Sequence, residues 1–297
     1  MFDREKVRKI VDPDFFTRLL GVRTIIVHPG TAHMDDFLTV ALVRGILSDI
    51  TILRREPTPE DLEDPHILVA DVGGVHDPLN MCFDHHQDRE LPASFVLVLQ
   101  AAGVWDLFKD CFPWATFTSD MDTRGPTEVC RSRGIPEGVG REFINPIASF
   151  ALASFELYTQ YSFDQMPLIT EIGKHLWDEL TEWQDAKDEV DRSTTLVETG
   201  EDGVCRPFLL YEGRISPLID RALVHSGIAH GYVGTITKSG RNHGWRLYRI
   251  NDNPHVDFTR IAYDRRVRFA HANGFMAETF DVIPITELHE LVGKALI

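Results

Sequence analysis

A short apolar run that ends in a carboxylate and two glycines frames what this chain can fold into. Ile67-Leu68-Val69-Ala70 has the length and the apolar continuity of a buried strand, and Asp71-Val72-Gly73-Gly74 closes it with a turn. The pattern recurs. Val22 to Val27 reads as a strand that delivers His28, and Met81 to Phe83 reads as a short strand that delivers Asp84-His85-His86. Between these strands Phe37 to Leu47 has helical character, and Ile50 to Leu53 reads as a further strand. Strands alternating with helices predict an α/β domain with a largely parallel sheet. In such sheets ligand sites gather outside the carboxyl ends of the strands. His28, Asp71 and Asp84 are therefore expected to converge.

The rest of the chain reads less regularly. Ala93 to Phe108 is expected to be one helix, followed by Thr116 to Asp122 and the break at Gly125-Pro126. Phe143 to Tyr161 and Met166 to Val190 read as two helices, the second with Ile169, Ile172, Leu176, Leu180 and Trp183 at core spacing. Thr194 to Gly203 is polar and is expected to be the linker, so residues 1–195 form the first domain and 196–297 a smaller α+β domain. In the latter, Tyr232 to Thr237 and Trp245 to Ile250 predict a hairpin through Lys238-Ser239-Gly240, Val267 to Ala270 a strand, and Thr286 to Leu296 a helix.

Charge narrows the partners. The net charge of −16 argues against a broad nucleic-acid footprint. It is uneven: Gly200 to Ile297 holds 12 Lys+Arg against 11 Asp+Glu, so the remainder carries −17. The acidic part contains the strand-end residues, and the near-neutral part is where an anionic substrate is expected to be gripped. No apolar run approaches the ~20 residues of a membrane span. The four cysteines, Cys82, Cys111, Cys130 and Cys205, form no C-x-x-C pair and read as reduced packing residues of a cytoplasmic-type protein. No signal peptide is expected from Met1 to Arg8, which mixes acids and bases.

His28, His33, Asp35, Asp71, His85 and either Asp120 or Asp122 make a ligand set for divalent cations that accept oxygen and imidazole. Each residue alone has a plainer role. Asp35 and Asp36 can cap a helix, and Asp71 can make a turn. The repetition at strand ends is what favours a metal site. Two ions ~3.5–4 Å apart, sharing a carboxylate, can clamp the oxygens of a phosphoryl displacement.

These residues resemble the melanocyte-proliferating-gene (Myg) exonuclease family of the DHH phosphoesterase superfamily. Its H-N-G-x-F-H-x-D-E, D-V-G-G and D-H-H-Q patterns appear as His28 to Asp36, Asp71 to Gly74 and Asp84 to Gln87. Pro29 stands for the family's Asn and Asp36 for its Glu. A later D-x-x-D-N-G segment resembles Asp120 to Gly125, with Asp120 in the place of the first acid, and an H-A-S-G-F pattern reappears as His271 to Phe275. The resemblance implies a DHH-type metal-binding domain. His28, His33 and Asp71 would hold one ion, and Asp35, Asp71, His85 and Asp120 the other. The ions would be manganese, with magnesium as the second choice.

The resemblance further implies His86 as the catalytic group at the scissile phosphate, with Asp84 orienting a histidine. It offers His271 and Gly274 as substrate contacts. Arg246 on the hairpin and Arg268 in the 265–268 basic cluster join them as candidates on charge. The activity implied is hydrolysis of phosphodiester bonds, as an exonuclease on RNA or short oligonucleotides. Two alternatives remain: a metal-dependent hydrolase of a small phosphoester, pyrophosphate or nucleotide, and a metal-stabilised binding protein without turnover. No membrane partner is expected, and the oligomeric state is left open.

Overall fold

The computed structural model describes all residues except 1, 48, 137–145, 162–166, 214, 226–230 and 240–242. The chain divides into two compact units, Met1–Thr181 and Glu182–Ile297. The division falls inside a long helix, earlier than the polar stretch taken for a linker.

In the first unit, strands β1 (Thr24–Val27), β2 (Thr51–Arg54), β3 (Ile67–Ala70), β4 (His76–Asp77), β5 (Cys82–Phe83) and β6 (Gln160–Tyr161) form one sheet in the order β4-β5-β3-β1-β2-β6. The four central strands run parallel, and β4 and β6 add antiparallel edges. The sheet is thus mixed, with the parallel centre that the sequence predicts. Register explains the convergence. Val27 lies opposite Ala70, and Ala70 opposite Phe83, so His28, Asp71 and Asp84 leave the sheet side by side at one edge.

Helices α1 (Arg4–Ile10) and α2 (Pro13–Gly21) form the lead-in, each with an aspartate at its N-cap, Asp3 and Asp12. Helix α3 (Met34–Ile46) follows β1 and is buried from Asp35 to Ile46. Helix α4 (Pro59–Glu63) lies in the β2–β3 connection. The single helix expected over 93–108 is two, α5 (Ser94–Ala101) and α6 (Trp105–Cys111). Gly103, with φ +71, supplies the left-handed turn between them.

Thr116 to Asp122 lies within helix α7 (Trp114–Arg124), and α8 (Pro126–Ser132) starts after the Gly125-Pro126 break. The helix expected from Phe143 is described over Pro146–Glu156 (α9); its first residues lie outside the described ones. The next, expected from Met166, is described from Pro167 to Val190 (α10), with Ile169, Leu180 and Trp183 buried as the spacing predicts. Helices α3 and α10 cross closely: a Cβ on Gly173 would collide with the Ala41 carbonyl oxygen.

The second unit carries β7 (Thr194–Thr199), β8 (Cys205–Tyr211), β9 (Gly234–Lys238), β10 (Trp245–Arg249), β11 (Val267–Ala270) and β12 (Met276–Thr279), in the order β11-β12-β10-β9-β8-β7. Among the described residues only β8 and β9 pair in parallel here. The 194–203 stretch is corrected from linker to edge strand plus turn. Its polar residues face outward while Leu196 is buried, the alternation of a half-buried strand. The hairpin β9–β10 forms as expected, although Gly240 of its turn lies outside the described residues. Helix α11 (Pro217–His225) precedes it, and α12 (Ile285–Ala295) packs Leu288, Leu291 and Val292 into the core with Phe208, Trp245 and Phe258. Trp245 donates its indole N–H to Ile283 O and is a core residue.

Candidate metal centre

The aligned strand ends, the first turn of α3 and the last turn of α7 bring four acid and imidazole groups together. Asp35, Asp71, His85 and Asp122 each place a ligand atom within 4.8 Å of the others, and Asp71, His85 and His86 form an overlapping set. Asp71 and His85 belong to both. Asp71 sits at the end of β3 with φ +60, a left-handed conformation that aspartate tolerates better than most side chains. Its N–H is fixed by the Phe83 carbonyl at 3.2 Å. Asp35 is wholly buried, and its oxygens accept N–H bonds from Ser94 and Phe95, both at 2.7 Å, at the start of α5.

His85 Nε2 lies 3.2 Å from Asp122 Oδ2, 3.3 Å from Asp71 Oδ1 and 3.6 Å from Asp35 Oδ2. That nitrogen is buried and makes no well-directed hydrogen bond to any of them. Burial acts to lower the His85 pKa, yet the Asp122, Asp71 and Asp35 carboxylates outweigh it and push it up to about 10. Asp35 is held well above the ordinary carboxylate range, first by burial and then by repulsion from Asp71 and Asp122. Three crowded carboxylates and a buried imidazole nitrogen without a directed partner are an arrangement that a divalent cation satisfies, because it replaces mutual repulsion with shared attraction. The donor set of oxygens and imidazole suits manganese or magnesium rather than a thiolate-seeking ion.

Asp36 and Arg54 form a buried ion pair beside this cluster, with Nη2 3.4 Å from Oδ2. Burial and the Asp71 charge push Asp36 up to about 7 against the pull of Arg54. Asp36 Oδ1 also accepts the His33 N–H at 2.8 Å, so the residue works as the capping acid of α3. Asp84 accepts N–H bonds from Gly74 at 2.5 Å and His85 at 2.8 Å, and lies 2.7 Å from His86 Nδ1. Burial acts to raise its pKa, but His86 and these N–H groups hold it below the ordinary value. Asp84 thereby fixes the ring of His86, which is half exposed, and leaves Nε2 as the other polar atom of that ring.

The fourth motif needs a correction. Asp122 joins the cluster, whereas Asp120, the motif-matched residue, pairs with Arg133 and lies 4.0 Å from Arg124. Residues two apart on a helix point ~200° away from each other, so α7 can turn only one of them toward His85. His28 and His33 fall outside the two ligand sets. They stack on each other with centroids 5.6 Å apart, His28 Nδ1 is buried without a partner, and His33 Nδ1 lies 3.9 Å from Asp122.

Two cavities flank the cluster. One, of about 550 Å³, is lined by His28, Glu56, Asp71, Gly73, Asp84 and His86 among others. The second, of about 230 Å³, is lined by His33, His85, His86, Asp88, Arg89, Leu91, Asp122 and Thr123. His86 lines both.

In the second unit the expected substrate residues have internal partners. Arg246 pairs with Asp220, and Arg268 with the buried Glu278. The His271 ring lies 4.2 Å from that of Phe275, and its Nδ1 accepts the Asn273 N–H at 3.1 Å. Gly274, with φ +69, leaves no room for a Cβ against Asp257 Oδ1. This turn explains the Gly-Phe motif without a ligand. The sequence reading missed Arg54, Glu156 (whose Oε1 takes the Ala32 N–H at 2.6 Å) and Arg89. Glu156 and Arg54 carry no local signal, since their partners are distant in sequence.

Carboxylates and imidazoles gathered at the carboxyl ends of parallel strands make the first unit an α/β fold with a candidate metal site. Residues 24–110 match the MYG1 exonuclease family model, described as an uncharacterised protein family (UPF0160). Over that segment the Myg-type resemblance of the motifs is borne out. No curated protein matches the sequence. Among solved structures, a DHH domain described as belonging to a family of ribosomal proteins is similar at 13% identity and a TM-score of 0.30, covering 98% of this chain and 91% of the other. RecJ from Thermus thermophilus, solved with Mn2+, is similar at 12% identity and a TM-score of 0.27, covering 98% of this chain and 53% of that one. Likenesses at that level carry no argument about activity.

Proposed function

We propose that this chain is a divalent-cation-dependent phosphoesterase that cleaves phosphodiester bonds, acting as an exonuclease on RNA or short oligonucleotides. The observation that carries the reading is the buried His85 nitrogen facing Asp35, Asp71 and Asp122 at the edge where the family motifs meet. Asp71 and His85 belong to both ligand sets and would contribute to holding the divalent cation. Divalent ions, when bound, supply Lewis-acid polarisation of the phosphoryl group and a lowered pKa of water.

The protein's own residues do the rest. Asp84 holds the His86 ring so that Nε2 meets the phosphate or the departing oxygen, where it donates a proton or hydrogen bond. Gly73 and Gly74, both at positive φ, bend the chain beside the larger cavity. His28 and His33 extend the donor set on the β1–α3 loop once the cation is bound. None of the four cysteines forms a disulfide, which supports assigning the protein to a reducing compartment such as the cytoplasm, and among the described residues no helix is long and apolar enough to cross a membrane.

The test is incubation of purified protein with manganese and end-labelled single-stranded RNA, alongside oligonucleotides down to dinucleotides. Expected is metal-dependent shortening that His86→Ala reduces by about 10²-fold or more. If nothing is cut, and His86→Ala alters nothing, the nuclease reading fails.

A second reading has an observation of its own. Cavities of 550 and 230 Å³ in a chain of net charge −16 suit a small phosphoester or dinucleotide better than a long strand. Turnover of a dinucleotide against a long oligonucleotide separates the two: equal or better use of the long strand excludes the small-substrate reading.

A further inference from the structure

The smaller cavity beside the cluster contains a charge that the metal centre does not explain. The residues lining the two cavities include the carboxylates of Glu56, Asp71, Asp84, Asp88 and Asp122, and Arg89 is the only lysine or arginine among them. Among the described residues no carboxylate lies within ion-pair distance of the Arg89 guanidinium. That sets it apart from the arginines of this chain that the sequence offered for substrate binding, which are paired.

Its loop is also built. Asp88 N–H donates to His85 O at 3.1 Å, and Leu91 N–H to Asp88 O at 3.1 Å. Asp88 Oδ1 takes the Glu90 N–H at 3.0 Å, which engages the neighbouring acid with its own backbone. Gln87 Nε2 donates to Asp84 O at 2.8 Å. The segment carrying Arg89 is therefore tied to the same residues that carry His85 and His86.

We propose that Arg89 grips a second phosphoryl group on the substrate, adjacent to the one that lies at His86. The smaller cavity is then an anion subsite, and the ligands it selects are those with two neighbouring phosphoryl groups, such as a dinucleotide phosphorylated at one end. Guanidinium is suited to this, because it offers a planar fork to phosphate oxygens. The inference rests on the phosphoesterase reading for its substrate, but its binding readout does not.

The experiment compares manganese-loaded wild type, Arg89→Ala and Arg89→Lys on three dinucleotides: ApA, pApA and ApAp. Wild type is expected to use pApA or ApAp with a kcat/KM roughly ten- to a hundredfold above that of ApA. In Arg89→Ala that ratio falls to about one, and Arg89→Lys recovers only part of it, because an ammonium is a point charge. Which of the two phosphorylated substrates is favoured tells on which side of the scissile bond Arg89 lies. A wild type that prefers neither, or an Arg89→Ala variant that keeps the preference, overturns the proposal.

A wild type that hydrolyses none of the three defeats the phosphoesterase reading, and binding then decides the Arg89 proposal. ADP and AMP are titrated into manganese-loaded protein. Tighter binding of ADP that Arg89→Ala abolishes upholds the anion subsite, and equal binding by wild type and variant overturns it.

Discussion

The strand-end cluster of the first unit and the acids of the second unit are handled in opposite ways. In the second unit the acids meet arginines: Asp202 with Arg206, Asp220 with Arg246, Asp264 with Arg266, and the buried Glu278 with Arg268. Charge is neutralised within the fold, and Asp264 is held well below the ordinary carboxylate range by its Arg266 hydrogen bonds. In the first unit Asp35, Asp71 and Asp122 meet one imidazole and each other. Among the described residues no lysine or arginine belongs to their cluster, and burial makes the crowding costlier. Paired acids hold a fold together, while crowded acids without a cation from the chain mark the place where a cation from solution belongs. By that criterion Arg246 and Arg268 read as structural residues, although their sequence context suggested substrate contact.

The contrast can be broken first at Asp71. Asp71→Asn removes the carboxylate common to both ligand sets, and manganese-dependent hydrolysis is expected to fall by about 10³-fold, measured as kcat/KM. The same substitution should not lower the melting temperature of the metal-free protein, because it relieves repulsion. A large loss of metal-free stability would place Asp71 with the structural acids.

The next largest effect concerns the scaffold. Gly173→Ala drives a methyl group into the Ala41 carbonyl where α10 crosses α3, the helix that carries Asp35. A loss of about 2–3 kcal/mol is expected in urea unfolding. Loss below a few tenths would mean that the helices part easily.

Arg268→Ala tests the second unit. It leaves Glu278 buried without its guanidinium, although Ser239 still donates to it at 3.2 Å. About 1–3 kcal/mol of destabilisation is expected. Asp122→Asn against Asp120→Asn then sharpens the choice within α7. The first should weaken manganese binding at least about tenfold and the second by less than about threefold, read by calorimetry.

The smallest effect is a pH dependence away from the centre. Arg55 donates to both oxygens of Asp61, at 2.7 and 3.1 Å, and its hydrogen bonds hold Asp61 at about 2. A lowered folded-state pKa contributes stability above the unfolded value of about 4, and this stability is lost as pH falls toward 2. Arg55 is well exposed, so solvent screening limits the pair to about 1 kcal/mol or less. The stability gap between wild type and Arg55→Gln should be flat above pH ~5 and shrink below ~4.

The parallel centre of the first sheet was legible because three strands each end in an acid or imidazole after a short apolar run. The register that aligns Val27, Ala70 and Phe83 then makes convergence a consequence of strand length. Asp122 was not separable from Asp120 in sequence, since that choice depends on the helical phase of α7, and the motif count pointed to the acid that pairs with Arg133 rather than to the one beside His85. The strand Thr194–Thr199 was hidden by its own exposure: an edge strand with polar outward residues looks like a linker. Asp36–Arg54 and Glu156–Ala32 were invisible for a different reason, because contacts between distant segments leave no periodic trace.

Whether the crowded acids of the first unit hold cations can be measured directly. Metal-free protein titrated with manganese by calorimetry should bind two ions per chain, with Asp71→Asn and His85→Ala each weakening binding by at least about a hundredfold. Manganese binding that is as tight in both variants as in the wild type, or no binding at all, would contradict a metal centre at these residues.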